Sequence, residues 1–411
     1  MPNVFYYHGQ ETNRIDKTAY TSVVVDDGCA AIADHAFEDW THLTSVVIPD
    51  SVKSIGESAF GFCEALSSII IPDGVTSIGD NLFQDCLSLT SVTIGSCVTE
   101  IGESVLCGCP RLTSITVSKE NTTYRSVENC LIEIASKKMV AGCKTSAIPS
   151  DGSVTSIGND AFWGCSELTS IGIPNGITNI GDRAFEGCTS LSFVTIPKSV
   201  ASIGVKAFGS CSKLTTITLS NGITTIKDEA FSNCSELTSI VIPDSVTSIG
   251  IAVFSNCPII ASIVVTEGNK SYRSVGNCLV EIASKKLIAG CKNSVIPTDE
   301  SVTSIEGSAF FGCSNLTSIT IPDSVTSIGN YVFGGCSGLT SVTIGNGVTS
   351  IGGSAFYYCN DLTSVTFANT SGWYVTQTEG AGSGTNVGLT DPARNAEYLQ
   401  STYSRYYWYR K

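Results

Sequence analysis

The apolar positions of this chain recur in one cadence. In "LTSITIPDSVTSIGNYVFGGC", residues 316–336, Ile319 and Ile321 alternate with Ser318 and Thr320. A period of two in β-branched residues predicts a strand with one face buried. Pro322 has no N–H for a sheet ladder and ends the strand. Val325 and Ile328 form a second apolar pair, and Gly329 permits a turn. The closing "NYVFGGC" is too short for an independent helix. It reads as a helical or 3-10 turn that buries Phe333 and Cys336.

The same sentence runs through most of the chain. Its cysteine marks the register at Cys63, Cys86, Cys109, Cys165, Cys188, Cys211, Cys234, Cys257, Cys313, Cys336 and Cys359. Every step is 23 residues except two of 56. An earlier rung, "YTSVVVDDGCAAIADHAFEDW", carries Trp40 in the cysteine position. One such unit cannot bury its apolar residues, whereas stacked units cover one another, so the period predicts a solenoid. Parallel strands spaced about 4.8 Å apart over about fifteen coils give a length on the order of 70 Å.

The two long steps contain related inserts, at 118–150 and 266–298. "YRSVENCLIEIASKKMVAGCK" and "YRSVGNCLVEIASKKLIAGCK" differ at four of 21 positions, so a block of repeats was duplicated. Within each, two short strands flank "ASKK". A hairpin there sets Cys130 opposite Cys143 and Ile134 opposite Met139; alternatively the second strand joins the main sheet as an extra coil. Residues 1–19 are expected to cap the solenoid at one end. Beyond 370 the pattern stops. Asp391 and Pro392 predict the start of a short helix, and with the aromatic run Tyr406–Tyr409 it makes 371–411 the other cap.

Composition narrows the function. The chain has 411 residues, 42% hydrophobic and 15% charged, with a net charge of −14. That balance disfavours nucleic acid and anionic membrane as partners, because both demand basic surfaces. No apolar run approaches the roughly 18–20 residues of a membrane span. The first residues lack the basic and apolar regions of a secretory signal, which leaves a cytoplasmic protein or a mature fragment with an added Met.

The candidate chemistry is sparse. There are 18 cysteines, but those of the ladder recur once per coil at core spacing and read as buried thiols. If the protein is exported, Cys130–Cys143 and Cys278–Cys291 are candidate cross-strand disulfides. Cys97, Cys107 and Cys109 lack the paired spacing of a zinc site, and no metal or cofactor is expected. The three histidines, His8, His35 and His42, accompany no nucleophile motif. No enzyme activity is expected. Five N-x-[ST] sequences, at Asn121, Asn233, Asn269, Asn315 and Asn369, matter only in a eukaryotic secretory route.

The outward strand positions are the candidate binding residues. They pair as Ser45/Val47, Ser68/Ile70, Ser91/Thr93, Phe193/Thr195, Thr216/Thr218, Ser239/Val241, Ser318/Thr320 and Ser341/Thr343, among others. The face is weakly polar and nearly uncharged. Phe193 stands out as an aromatic anchor in a Ser/Thr column.

The repeat "LTSITIPDSVTSIG", with "AF" three residues before the cysteine, resembles that of BspA-like leucine-rich-repeat proteins, close to the treponemal class. The likeness covers about 20–370, and the tail resembles the closing segment of such proteins. In the inserts, Asn129-Cys130-Leu131 departs from the family's variant coil. The resemblance implies a right-handed leucine-rich-repeat solenoid with a long parallel sheet on its concave face. It also implies a cell-surface or secreted protein, adhesin-like, probing protein or glycan ligands such as host extracellular matrix. A monomer is expected. The alternative is a spacer or stalk without a ligand of its own.

Overall fold

The computed structural model describes residues 3–12 and 14–411. It is a parallel β-solenoid of about fifteen turns with very little helix. The chain divides into two compact units, Met1–Cys211 and Ser212–Lys411. Each unit is built from the same coil.

A coil contributes to three hydrogen-bonded columns. The first is the predicted long strand. In the first unit, Ser68–Ile71, Ser91–Ile94 and Ser114–Val117 pair in parallel with serine opposite serine. In the second, Ser318–Ile321, Ser341–Ile344 and Ser364–Phe367 do the same. Inward residues such as Ile69, Val92, Ile319 and Val342 are buried, as the period of two requires.

The second column is a two-residue strand from the "SIG" stretch. Ser54–Ile55, Ser77–Ile78 and Glu100–Ile101 stack in parallel, as do Ser304–Ile305, Ser327–Ile328 and Ser350–Ile351.

The third column corrects the expected helical turn. In the segment ending at Cys63, Ser58 and Phe62 adopt left-handed φ of 50° and 58°. Two such residues break any helix. Alternate amides point at the next coil instead: Ser58, Phe60 and Phe62 donate to the carbonyls of Asp80, Leu82 and Gln84 at 2.9, 3.1 and 2.7 Å. The amides between them bond within the turn, Gly61 to Ser58 O at 2.9 Å and Cys63 to Phe60 O at 3.4 Å, so the turn holds both itself and its neighbour. The phenylalanines it carries lie face to face, Phe162 on Phe185 at 5.0 Å and Phe310 on Phe333 at 5.2 Å.

The ladder cysteines close the core beneath these rings. Cys63, Cys86 and Cys109 each direct Sγ to the carbonyl of a phenylalanine 26 residues earlier, at 3.2, 3.2 and 3.1 Å. A thiol is small and apolar yet donates weakly. It therefore fills the core and satisfies a carbonyl at once. Burial raises the pKa values of Cys63 and Cys109 and pushes that of Cys86 up to about 12.

Each insert is a three-stranded antiparallel meander. Tyr124–Val127 pairs with Cys130–Glu133, which pairs with Lys138–Ala141. The last strand then runs parallel to Ser156–Ile157. The hairpin is thus the alternative that forms, and its second strand joins the short-strand column rather than the main sheet. The register differs from the expected one. Ile132, not Ile134, opposes Met139, and a bulge lies between Leu131 and Ile132. Ile134 sits in the exposed loop. Gly142 lies against the Phe162 ring, where an added Cβ would come within 2.3 Å of a ring carbon. The insert beginning at Tyr272 repeats this arrangement.

Both ends are covered by aromatic residues. Of the expected cap at 1–19, residues 1, 2 and 13 lie outside the described residues. Val4–Tyr7 adds a parallel strand to Ser22–Val25. Phe5, Tyr20 and Phe37 surround the buried Trp40 at 5.2, 5.9 and 5.2 Å. At the other end, Pro392–Glu397 is the predicted helix, with the Asp391 carboxylate accepting from Ala393 N–H at 3.0 Å. Tyr407–Arg410 runs antiparallel to Ser350–Ile351, with Trp408 opposite Ile351.

Candidate interaction surface

The outward face of the long-strand column differs between its two rows of side chains. The first row is mostly hydroxyl. In the first unit it includes Ser22 and Ser45, whose hydroxyls bond each other, then Ser68, Ser91 and Ser114 in register. The second row begins apolar. Tyr6, Val24 and Val47 are in register, and Ile70 takes the same place in the next coil, followed by Thr93 and Thr116. Tyr6, Val47 and Ile70 are 60%, 58% and 66% exposed. Nothing in the coil requires large apolar groups there, since threonine fills the same position in the coil after Ile70.

The predicted site residues fall on this face. Phe193 and Thr195 lie on the strand Phe193–Ile196 of the first unit, with Phe193 56% exposed. In the second unit Thr216 and Thr218 are exposed on Thr216–Leu219. Ser318 stands opposite Ser341 and Thr320 opposite Thr343. The structure therefore brings the last four together as two short rows. Val241 and Val264, also in register, are exposed on the same column. Tyr6 was missed in the sequence, although the alternation of "VFYY" pointed to it.

Many hydroxyls near this face are already engaged. Threonines that precede these strands donate to the previous coil: Thr90 to Ser67 O at 2.9 Å, Thr340 to Thr317 O at 3.0 Å. The acidic turn residues act likewise. Asp73 accepts the Ser96 N–H at 2.6 Å, and that bond lowers its pKa. These groups hold coils together, so the strand serines and threonines are the ones left to meet a partner.

The other candidates occupy structural places. Cys130, Cys143, Cys278 and Cys291 are buried thiols. Cys130 Sγ reaches Ala147 O at 3.6 Å, and Cys143 Sγ lies 3.2 Å from Thr145 Oγ1. His8 faces Asp26 at 2.8 Å and His35 faces Glu38 at 3.1 Å, while His42 lies 3.3 Å from Thr41 Oγ1. Asn121 and Asn269 are buried. Among the described residues no helix is long and apolar enough to cross a membrane.

The repeat family described as "BspA type Leucine rich repeat region (6 copies)" matches residues 30–138, 132–261 and 281–377. No curated protein matches the chain. Solved structures do. A leucine-rich repeat protein from Bacteroides ovatus is 26% identical, with 88% of this chain and 82% of that chain covered and a TM-score of 0.49. A leucine rich cell surface protein from Faecalibacterium prausnitzii is 27% identical, with 78% and 84% covered and a TM-score of 0.46. The pneumococcal vaccine antigen PcpA is 17% identical, with 79% and 77% covered and a TM-score of 0.44.

Proposed function

Because the chain belongs to the BspA-type leucine-rich-repeat family, we propose that it is a non-catalytic, surface-exposed or secreted interaction protein. It docks a partner protein, of the kind found in extracellular matrix, on the outward face of its long-strand column. The observation that carries this reading is the exposed row Tyr6, Val47 and Ile70 beside a row of serine hydroxyls. Exposed apolar groups rimmed by polar ones mark interaction sites. Phe193 with Thr195, and in the second unit Thr216, Thr218, Ser318, Thr320, Ser341 and Thr343, supply further contacts on their own stretches. The net charge of −14 steers the protein away from polyanions.

The test is binding of the purified chain to immobilised matrix proteins and mucins. Three variants serve as controls: Val47→Glu with Ile70→Glu, Thr320→Glu with Thr343→Glu, and Phe193→Ala. Saturable binding that one pair abolishes, with unchanged thermal unfolding, supports the reading and locates the contact. Absence of binding, or binding that neither pair nor Phe193→Ala disturbs, favours a spacer without a ligand on this face.

A further inference from the structure

The second unit contains a groove on a different face, beside the short-strand column and the C-terminal strand. Its volume is about 740 Å³, within the range of small-molecule sites. The floor is a register row: Lys286, Ser304, Ser327 and Ser350 stand opposite one another across successive strands, and Tyr409 follows Ser350. Hydroxyls thus repeat at the strand spacing of about 4.8 Å, close to the length of one pyranose unit. Buried Ile305, Ile328 and Ile351 lie in the same strands and keep the floor rigid.

The walls add rings and little charge. Tyr407, Tyr409 and the exposed Tyr331 line the groove. In the strand Tyr407–Arg410 the alternation sends Trp408 into the core, where it closes the last coil, and leaves Tyr407 and Tyr409 half-buried beside the groove. The capping role is therefore discharged by Trp408, not by its neighbours. The Tyr409 hydroxyl accepts the Gly380 N–H at 2.7 Å, which fixes its ring. At the far end Lys286 and Glu306 neutralise each other at 2.7 Å. Glu379 is the remaining charged group of the wall.

The first unit provides a comparison. Its short-strand column carries the matching row Lys138, Ser156, Asn179 and Ser202. The hollow beside part of that row holds about 180 Å³. Its wall tyrosine, Tyr124, is buried, and the hydroxyl accepts the Ile101 N–H at 3.2 Å. The row of hydroxyls belongs to the repeat; the exposed tyrosine walls belong to the second unit's groove.

We infer that this groove binds a neutral oligosaccharide. Tyrosine rings offer flat apolar faces to the C–H side of a sugar ring and a polar edge to its hydroxyls. The serine row and the Asn330 side of the wall meet the remaining hydroxyls. A wall whose one ion pair is internally balanced, with a carboxylate left over, disfavours phosphate, sulfate and sialic acid. This site is separate from the long-strand face, so each stands or falls alone.

The experiment uses the full chain with cellotriose, chitotriose, maltotriose and xylotriose as probes, and sialyllactose as the anionic control. Saturation-transfer NMR and calorimetry at up to ~10 mM sugar cover the millimolar affinities of a small open site. The expected result is saturable binding of at least one neutral probe, weakened about tenfold or more by Tyr331→Ala and by Tyr407→Ala. Thermal unfolding of each variant confirms the fold, and Tyr407→Phe tests the ring without disturbing the strand. Failure of all neutral probes overturns the inference. So does binding indifferent to Tyr331→Ala in a folded variant, or sialyllactose bound as tightly as the neutral sugars. A groove that takes a peptide instead would appear among those failures.

Discussion

Arg183 holds the carboxylate of Asp160 with both prongs of its guanidinium, Nε to Oδ1 at 2.7 Å and Nη2 to Oδ2 at 2.9 Å. Ser104 donates to the same Oδ2 at 2.7 Å. The side chain of Asp160 is buried, and that of Arg183 is half exposed. Three coils meet here, just where the first insert interrupts the stack. A bidentate pair on a buried carboxylate is the strong kind, but the exposed partner moderates it. Arg183→Ala is expected to cost about 2 kcal/mol, because it strands the carboxylate. Arg183→Lys should cost less and Asp160→Asn with Arg183→Ala less than the sum of the single changes. Urea unfolding of the double-mutant cycle measures this.

The cysteine core predicts alkaline lability. Burial pushes Cys86, Cys165, Cys211 and Cys359 from the ordinary value of 9.0 up to about 12. Below pH ~9 both folded and unfolded thiols are protonated and no penalty exists. Above it the unfolded chain ionises while the native coil keeps its protons, so stability falls as pH rises toward 12. Each such thiol contributes a slope of about 1.4 kcal/mol per pH unit. Melting temperature should be flat from about pH 6 to 8 and drop steeply through about pH 10. Cys86→Ala should shallow the drop. A flat profile through pH ~10 would contradict the buried-thiol account.

Thiol reagents give a second reading of the same core. Cys97 is exposed, and the other cysteines are buried. Only thiolates react. Native protein should therefore be alkylated quickly at Cys97 alone, and mass spectrometry after denaturation should count all 18 thiols. Fast native labelling at Cys165 or Cys313 would show that the insert junctions open.

Asn121 secures the start of the first insert. Its amide donates to Gly95 O at 2.9 Å and Val98 O at 3.0 Å, and its oxygen accepts from Thr123 and Tyr124 N–H at 2.9 and 2.8 Å. Asn269 makes the same four bonds at the second insert. Replacing either with Ala leaves buried backbone groups unsatisfied and should cost about 3 kcal/mol. Calorimetry of both single variants checks it. Equal losses at the two sites would reflect their shared geometry.

Removing the terminal lid should destabilise without touching a repeat. Trp408 is buried between Ile351 and Val375 in register and lies 6.5 Å from the Phe367 ring. Trp408→Ala is expected to cost about 3–5 kcal/mol. Hydrogen exchange should show the loss concentrated in the last coils, since each coil is protected by its neighbours.

The candidate surface was legible in part. Alternation along a strand marks the outward positions, so Phe193, Thr216 and Thr320 were found from spacing alone. The same alternation holds in "VFYY", but no repeat frames it, and Tyr6 went unnoticed. The groove could not be found this way. Ser304, Ser327 and Ser350 recur at 23-residue spacing in the sequence, but Tyr409 joins their row, with Tyr407 beside it, only because the tail folds back antiparallel. A chain reversal after the last repeat leaves no periodic trace.

By itself, the sequence determined the period, the buried positions and hence the solenoid, because a coil of this composition has no way to bury its apolar residues except against another. It also determined the two inserts and the aromatic tail. Only the tertiary structure decided how the coils bond. The turn before each cysteine is read locally as helical, but its amides donate across to the next coil, and two left-handed residues allow that. The cysteine is read locally as core filler, but its thiol also satisfies a carbonyl 26 residues away. Threonine and aspartate look like surface, but they hold the neighbouring coil. The reason is common to all three: each partner lies about one coil away along the chain, so its contact distance is set by stacking, which no local pattern of residues records.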